Sequence, residues 1–300
     1  MQWEFFTAFS TESVENRPGR HTAPAVLRRH EPGSSGVRRL TPEQQRFFRE
    51  EGYLGFGPFL DESRVRQIGE AIDAIAGGEI PYPPELIRWE PVSQGADPGR
   101  SAERKKFVYQ IRYPHRHIPL FMEHAADPAV LDVVEDLLGP DLVIYNTQAL
   151  LKPAFHGTSQ PWHQDAAYWP IRPMNMVSCW IAIDEATPEN GCMRFIPGSH
   201  KRGLAEHRSG RPLSAASGGT AAAVQEIQVD ESQAAAVPAR PGHGSLHHCL
   251  THHGTPPNRT PHRRRAIICH YMPLDFRYTG PEDDRPPFHV VRGRRCGEIV

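Results

Sequence analysis

The chain has 300 residues, of which 38% are hydrophobic and 23% are charged, and its formal net charge is −1. This length suits one large domain, and the balanced charge gives no general attraction to nucleic acid or to a membrane surface. The 30 prolines and 25 glycines favour a fold rich in turns over a helical bundle. The 17 histidines are unusual, and a metal site or a GC-rich genome would explain them equally well.

The cysteines and the N-terminus indicate a reducing compartment. The five cysteines are odd in number and form no CxxC pair, so they suggest neither a zinc knuckle nor a disulfide framework: Cys179, Cys192, Cys249, Cys269 and Cys296. The first ten residues carry Glu4 and lack a basic region, and no apolar run has membrane-spanning length. We therefore expect a cytoplasmic protein with reduced, mostly buried thiols.

The first ordered elements are predicted to be helices. Residues 1–40 are expected to form a disordered or loosely attached arm, because their Arg-, Pro-, Gly- and Ser-rich part shows no periodicity. Thr41-Pro42-Glu43-Gln44 has the pattern of a capping box, and the short helix that follows should stop at Gly52 before a strand. A second helix is predicted from Glu62 to Ala76, and a third opens at Asp127-Pro128 and closes at Gly139-Pro140.

From Leu142 onward, short apolar runs broken by Gly and Pro replace the helical pattern. They predict antiparallel strands of a sandwich or jelly roll: Leu142–Leu151, Met176–Ile183, Cys192–Ile196, Ser245–Leu250 and Ala266–Tyr271. Residues 203–223 are a low-complexity stretch that we expect to form a lid or an inserted loop. Residues 41–300 as a whole are expected to form a single domain.

One candidate for metal chemistry is Trp162-His163-Gln164-Asp165. Side chains at i and i+2 of a strand point to the same face, so His163 and Asp165 can reach one metal ion. A distant histidine would complete two imidazoles and one carboxylate, the set that binds one face of Fe(II) and leaves the other open. His247, His248, His252 and His253 are all candidates from the residues alone.

A basic run, His262-Arg263-Arg264-Arg265, leads into the apolar strand Ala266–Tyr271. An arginine at the start of a buried strand is costly unless it meets an anion, and its planar fork suits a carboxylate. A solvated basic turn is the alternative for each of the three.

These motifs, in order along the chain, resemble the phytanoyl-CoA dioxygenase family from about Thr41 to Tyr271. The resemblance is carried by the His163–Asp165 motif and by further motifs on either side of the last candidate ligand: Trp180, Asn190-Gly191-Cys192, Ile196-Pro197-Gly198-Ser199-His200-Lys201, His253-Gly254-Thr255, Asn258 and Arg264-Arg265-Ala266-Ile267. It implies a mainly β fold with flanking helices, a double-stranded β-helix (cupin-like jelly roll). It also implies Fe(II), 2-oxoglutarate and O2 as cofactor and cosubstrates.

The resemblance assigns roles to particular residues. It implies that His163, Asp165 and His253 bind iron, with His253 selected because Gly254-Thr255 follows it as Gly-Ser follows the family's last ligand. Arg264 matches the arginine that holds the C5 carboxylate of 2-oxoglutarate. Its strand neighbours Arg263 and Arg265 should point to the other face. The further residues expected at the 2-oxoglutarate pocket are Gln148, Trp180 and Thr255, and one unplaced residue between Lys106 and Arg112 should join them.

The expected activity is oxidation, by default hydroxylation, of a small organic molecule such as a secondary metabolite, with formation of succinate and CO2. Two alternatives stay open: an acyl-CoA or lipid hydroxylase, and a non-enzymatic cupin-like binding protein. Asp165 argues against halogenation, because related halogenases have a small residue at this position to admit chloride. Neither nucleic acid nor a membrane is an expected partner, and the sequence leaves the oligomeric state and the substrate open.

Overall fold

The computed structural model describes residues 39–90, 104–209 and 225–300. The predicted arm, except for its last two residues, and most of the predicted lid lie outside these ranges. Within them are four α-helices: α1 (Pro42–Glu51), α2 (Glu62–Gly77), α3 (Pro119–Ala125) and α4 (Pro128–Leu138). None of the described helices is both long and apolar enough to cross a membrane.

The helix ends follow from local chemistry. The Thr41 side chain accepts a hydrogen bond from the Gln44 backbone N–H while the Gln44 side chain accepts one from the Thr41 N–H, so the predicted capping box is present. The Asp61 and Asp127 side chains cap α2 and α4 by accepting hydrogen bonds from the backbone N–H groups of Arg64 and Ala129. The short α3 lies in a stretch for which the sequence analysis predicted no element.

Eight strands form the major sheet: β1 Tyr53–Phe56, β2 Ile87–Trp89, β3 Val108–Arg112, β4 Leu142–Lys152, β7 Val177–Ala182, β12 Gly244–His248, β14 Arg264–Pro273 and β16 His289–Arg292. Their antiparallel order is β1-β12-β7-β14-β4-β3-β2, with β16 also pairing with β4. The strand predicted at Ser245–Leu250 ends earlier, at His248, because the Thr251 N–H bonds to the His248 carbonyl and turns the chain.

A minor sheet has the order β11-β8-β13-β5, and its strands are β5 Gln160–His163, β8 Met193–Phe195, β11 Ala235–Val237 and β13 His253–Thr255. Two further pairs are small: β6 Ile171–Arg172 with β15 Arg277–Tyr278, and β9 Arg208–Ser209 with β10 Gln225–Glu226. The two larger sheets face each other, since Phe195 of the minor sheet packs on Tyr53 and His247 of the major one, with ring centroids 4.8 and 5.3 Å apart.

Alternate side chains of β7 face opposite sides of the major sheet, one side toward the helices and the other toward the minor sheet. Cys179 and Ile181 join the helices in the larger hydrophobic core, whereas Trp180 and Ala182 point between the two sheets. Because helices cover one face and the minor sheet the other, every residue of β7 is buried. The mainly β, jelly-roll prediction is confirmed. All five cysteines are free and four of them are buried, as predicted.

Candidate metal centre

Three side chains predicted to bind metal converge between the sheets. The Asp165 Oδ1 atom lies 3.8 Å from His163 Nε2 and 3.6 Å from His253 Nε2, and all three residues are buried. The three donor atoms lie within 4.8 Å of one another. Adjacent donors bonded at about 2.0–2.2 Å to one ion lie about 3 Å apart, so closing each Asp165 contact needs a shift of less than about 1 Å.

The strand predicted to carry both His163 and Asp165 is shorter than expected. It ends at His163, and Asp165 begins a single 3₁₀ turn. Gln164 between them keeps an extended backbone, with φ −119° and ψ 132°, so the i and i+2 side chains still emerge on one side. Backbone pairing of His253 with His163 across β13 and β5 then brings the third imidazole beside them.

Backbone carbonyls fix the tautomer of both imidazoles. His163 Nδ1 lies 2.8 Å from the Pro161 carbonyl oxygen and His253 Nδ1 lies 2.9 Å from that of Thr251. A carbonyl oxygen can only accept, so each Nδ1 carries the proton and each Nε2 presents its lone pair to the centre. The donor set of two such nitrogens and one carboxylate oxygen fits a facial Fe(II) site.

Electrostatics favour the protonation states that bind metal. Burial lowers the pKa of His163, and burial together with the neighbouring imidazoles holds the pKa of His253 well below its usual value. Burial alone would raise the pKa of Asp165, but His253, His247 and His270 outweigh it and hold this pKa well below the ordinary value. At neutral pH the site therefore has neutral imidazoles and an ionised carboxylate.

A directed chain of hydrogen bonds holds the second oxygen of Asp165. Gln110 Nε2 donates to Gln148 Oε1 (2.5 Å), and the Gln148 amide contacts His270 Nε2 (3.5 Å). Ser178 Oγ lies 2.7 Å from both His270 Nδ1 and Asp165 Oδ2. Its single hydrogen goes to the carboxylate, so it accepts from His270. This chain leaves Oδ1 directed at the centre.

His247, one of the four candidate histidines, also serves this carboxylate. Its Nε2 lies 3.2 Å from Asp165 Oδ2, the oxygen that faces away from the centre. The other two turn elsewhere: His248 Nδ1 accepts from the Leu250 backbone N–H, and His252 is not among the three converging groups. The structure thus separates a candidate ligand, His253, from a supporting residue, His247, within seven residues of sequence.

All seven residues predicted to bind iron or 2-oxoglutarate line one cavity: Gln148, His163, Asp165, Trp180, His253, Thr255 and Arg264. Three polar atoms among them are buried without a hydrogen-bond partner, namely Trp180 Nε1, Thr255 Oγ1 and Arg264 Nε. Unpaired buried donors are rare and costly, so this group fits an acceptor-rich ligand such as a dicarboxylate.

Arg264 is the predicted anchor of that ligand, and it points into the cavity from the first position of β14. It is 2% exposed, and its guanidinium carbon lies 5.5 Å from the Trp180 ring centroid. Arg265 points the other way and pairs with Asp184 at 2.8 Å. The exposed Arg263 lies 2.9 Å from Asp73, so both neighbours serve the outer face.

A second cation, Lys152, lies beside Arg264 in this cavity. It is buried, its ammonium group donates to the Thr158 carbonyl oxygen, and burial followed by the charge of Arg264 lowers its pKa well below the usual value. The buried Glu90 partly balances the two charges. Gly191 of the predicted Asn-Gly-Cys motif has φ +98°, and a Cβ there would lie 2.5 Å from Lys152 Cδ, so the motif makes room for this lysine.

A comparison with protein families decides the relationship. The model of the phytanoyl-CoA dioxygenase family matches residues 48–266. The chain belongs to the phytanoyl-CoA dioxygenase family. With its triad and jelly-roll fold, it is a 2-oxoglutarate-dependent dioxygenase whose cofactor is iron and whose cosubstrates are 2-oxoglutarate and O2.

Relatives with different named activities are similar to this chain over most of their length. A probable phytanoyl-CoA dioxygenase of Caenorhabditis elegans is 29% identical over 253 residues, 81% of this chain and 79% of that one. A methylphosphonate hydroxylase of Gimesia maris is 28% identical and covers 84% of this chain and 89% of its own. Among solved structures, the non-haem α-ketoglutarate-dependent carbocyclase SnoK from nogalamycin biosynthesis is 25% identical, with TM-score 0.61 and coverage of 84% and 92%.

Sequence reasoning missed several residues of this family site. Gln110 lies in the stretch where an additional cavity residue was expected, and it lines the cavity next to Gln148. Ser178 and His270 gave no sequence signal, because their contact with Asp165 depends on strand pairing. The described start of the predicted lid contacts Gln164, the residue between His163 and Asp165, whose side chain donates to the Gly203 carbonyl oxygen at 2.8 Å. That the stretch acts as a lid stays a prediction.

Proposed function

We propose that this dioxygenase hydroxylates a small organic molecule, with His163, Asp165 and His253 binding Fe(II) and Arg264 holding the C5 carboxylate of 2-oxoglutarate. The observation that carries the proposal is the convergence of the triad and Arg264 on one cavity with unpaired buried donors. The chemistry that Fe(II) supplies in such a site is O2 activation coupled to oxidative decarboxylation of 2-oxoglutarate to succinate and CO2.

The residues of this chain act by binding and orientation. Arg264 fixes the far carboxylate, and Trp180 Nε1 and Thr255 Oγ1 offer further donors along the same wall. The hydrogen bonds from Ser178 and His247 hold Asp165 so that only Oδ1 faces the centre. Burial of these groups keeps bulk water from the reacting atoms.

A small-molecule substrate agrees with the names of relatives, which include a methylphosphonate hydroxylase and a human phytanoyl-CoA dioxygenase. To test the function, the purified protein is mixed with Fe(II) and 2-oxoglutarate without air, and then exposed to O2. We expect a weak absorption band at roughly 500 nm, typical of an open facial triad, and then succinate in amounts that match CO2.

A featureless anaerobic spectrum with no succinate in air would favour a binding protein instead. A screen of small metabolites and acyl-CoAs for stimulated succinate release then separates the two hydroxylase classes. Stimulation by acyl-CoAs alone would contradict the small-molecule proposal while leaving the dioxygenase activity in place.

A further inference from the structure

Two arginines, one at the end of β3 and one in the 3₁₀ turn that follows, contact the same aromatic ring. The guanidinium carbons of Arg112 and Arg116 lie 5.0 and 4.4 Å from the centroid of Tyr113. Arg112 also donates to the Tyr113 hydroxyl at 3.0 Å, and the Tyr82 hydroxyl donates to the Arg112 carbonyl oxygen at 2.5 Å. Cation–π contact and these hydrogen bonds hold the two positive groups close together.

No carboxylate among the described residues forms an ion pair with either guanidinium. The ionisable groups that act most strongly on Arg116 are Tyr113, Tyr145, Arg112 and Tyr82, and none of them is a carboxylate. Arg116 Nε is buried without a hydrogen-bond partner, and its NH2 makes only a long bond, 3.4 Å, to a backbone carbonyl. Two adjacent cations in a half-buried place are unfavourable unless an anion joins them.

Strand pairing places Arg112 on the same face of the sheet as Gln148, a residue that lines the cavity of the metal centre. Arg112 lies directly opposite Gln148 on β4, and residues paired in this way share a face of the sheet. Gln148 lines the cavity and contacts His270, whose Nδ1 lies 3.8 Å from Asp165 Oδ2. Gln148 and the imidazole of His270 thus lie between Arg112 and the Asp165 carboxylate.

A second line of contacts joins Arg116 to the same centre. Tyr145, whose hydroxyl lies within the field of Arg116, packs on Trp169 with ring centroids 5.0 Å apart. Trp169 in turn packs on His270 at 4.7 Å. Two ring contacts therefore connect the neighbourhood of Arg116 with His270, which lies beside the candidate iron site.

This basic pair is distinct from the anchor of 2-oxoglutarate. Arg264 pairs with Lys152, whereas Arg112 pairs with Gln148, four residues earlier on the same strand. A strand rises about 3.3 Å per residue, so the two places lie about 13 Å apart along β4. A second oxyanion can bind at Arg112 and Arg116 while Arg264 holds the cosubstrate.

We propose that Arg112 and Arg116 form the subsite for an oxyanion of the substrate, a carboxylate or a phosphorus oxyanion, which places the rest of that molecule toward the metal centre. Two planar guanidiniums with free donors suit such a group, since each can bind two of its oxygens. The assignment rests on the proposed function, and it restricts the substrate to acidic small molecules.

The test measures binding of small probes to protein loaded with Mn(II) and 2-oxoglutarate, a state that does not turn over. Acetate, benzoate, phosphate and phenylphosphonate are compared with acetamide and benzamide, and nuclear relaxation of each probe reports binding near the metal. We expect saturable binding of oxyanions and none of the amides. Preference for the carboxylates or for the phosphorus compounds identifies the class.

Variants locate the binding. Arg112→Gln and Arg116→Gln should each weaken oxyanion binding by about 10- to 100-fold, the loss of a hydrogen bond to a charged group. Arg112→Lys and Arg116→Lys should recover part of it, and Arg294→Gln, which changes an arginine with an 82% exposed side chain, should have no effect. The 2-oxoglutarate affinity should stay unchanged in all of them.

Equal binding of oxyanions and amides, or unchanged oxyanion affinity in both Gln variants, would overturn the subsite. Failure of the proposed function has a different signature, namely no uncoupled succinate release from the iron-loaded wild type. Because the probe measurements use no turnover, the two failures are distinguishable.

Discussion

Replacement of Arg264 by Met should have opposite effects on the stability of the cofactor-free protein and on cosubstrate binding. Arg264 is 2% exposed, and its pKa falls from 12.5 to about 10, mainly because burial disfavours the charged form. At neutral pH it stays charged in both the folded and the unfolded state. Each pKa unit corresponds to about 1.4 kcal/mol, so the charge costs the folded state about 3 kcal/mol.

A methionine removes this cost and still fills the space beside Trp180. We therefore expect the free energy of unfolding of the cofactor-free protein to rise by up to about 3 kcal/mol. The contribution of the long hydrogen bond from Arg264 to the Leu150 carbonyl oxygen, which methionine cannot form, reduces this gain. Loss of a buried charge partner typically costs about 3–5 kcal/mol. The affinity for 2-oxoglutarate should accordingly fall by about 100- to several-thousand-fold.

The assay is thermal unfolding with Mn(II), with and without 2-oxoglutarate, together with the KM for 2-oxoglutarate in uncoupled succinate formation. Wild type should gain stability with 2-oxoglutarate and Arg264→Met should not, while both bind the metal. Arg263→Met and Arg265→Met are matched controls, because those side chains pair with Asp73 and Asp184 on the outer face. A steep KM increase in either control, or none in Arg264→Met, would refute the reasoning.

Two residues outside the ligand set, Ser178 and His124, give further predictions. Ser178→Ala should weaken Fe(II) binding by about 10- to 100-fold in an anaerobic titration, because Asp165 loses a hydrogen bond. Ser245→Ala, which removes a buried hydroxyl that has no partner, should leave it unchanged, and equal effects would contradict the role of Ser178. Burial lowers the pKa of His124 from 6.5 to about 3, so the unfolded state binds the proton first and stability falls as the pH drops below 6.5. His124→Leu should therefore gain about 2 kcal/mol relative to wild type between pH 7 and pH 5, measured by urea unfolding, and a similar gain in the exposed His262→Leu would exclude this cause.

The sequence predicted the elements whose signals are local. The capping box at Thr41 and the Asp127-Pro128 helix start depend on neighbouring residues only, and both are present. The strand predicted from Ser245 to Leu250 was too long, since its end depends on a turn at Thr251. The short apolar runs predicted a sandwich or a jelly roll, and the resemblance selected the double-stranded β-helix.

Residue type and spacing predicted the His163 and Asp165 pair, whereas the choice of His253 and Arg264 came from the family resemblance. All four residues line one cavity. The supporting contacts were not predictable. Ser178 and His270 meet Asp165 only through the register of β7 with β14, and a shift of one residue would turn both away.

The proposed function requires three side chains to bind a single ferrous ion. A crystal structure tests this requirement most directly, with crystals grown without air in the presence of Fe(II) and 2-oxoglutarate and with anomalous diffraction data collected at the iron edge. We expect one iron peak about 2.0–2.2 Å from His163 Nε2, Asp165 Oδ1 and His253 Nε2, with Arg264 on the far carboxylate of 2-oxoglutarate. An iron peak bound by His247 in place of His253, or one that lies away from this triad, would contradict the account.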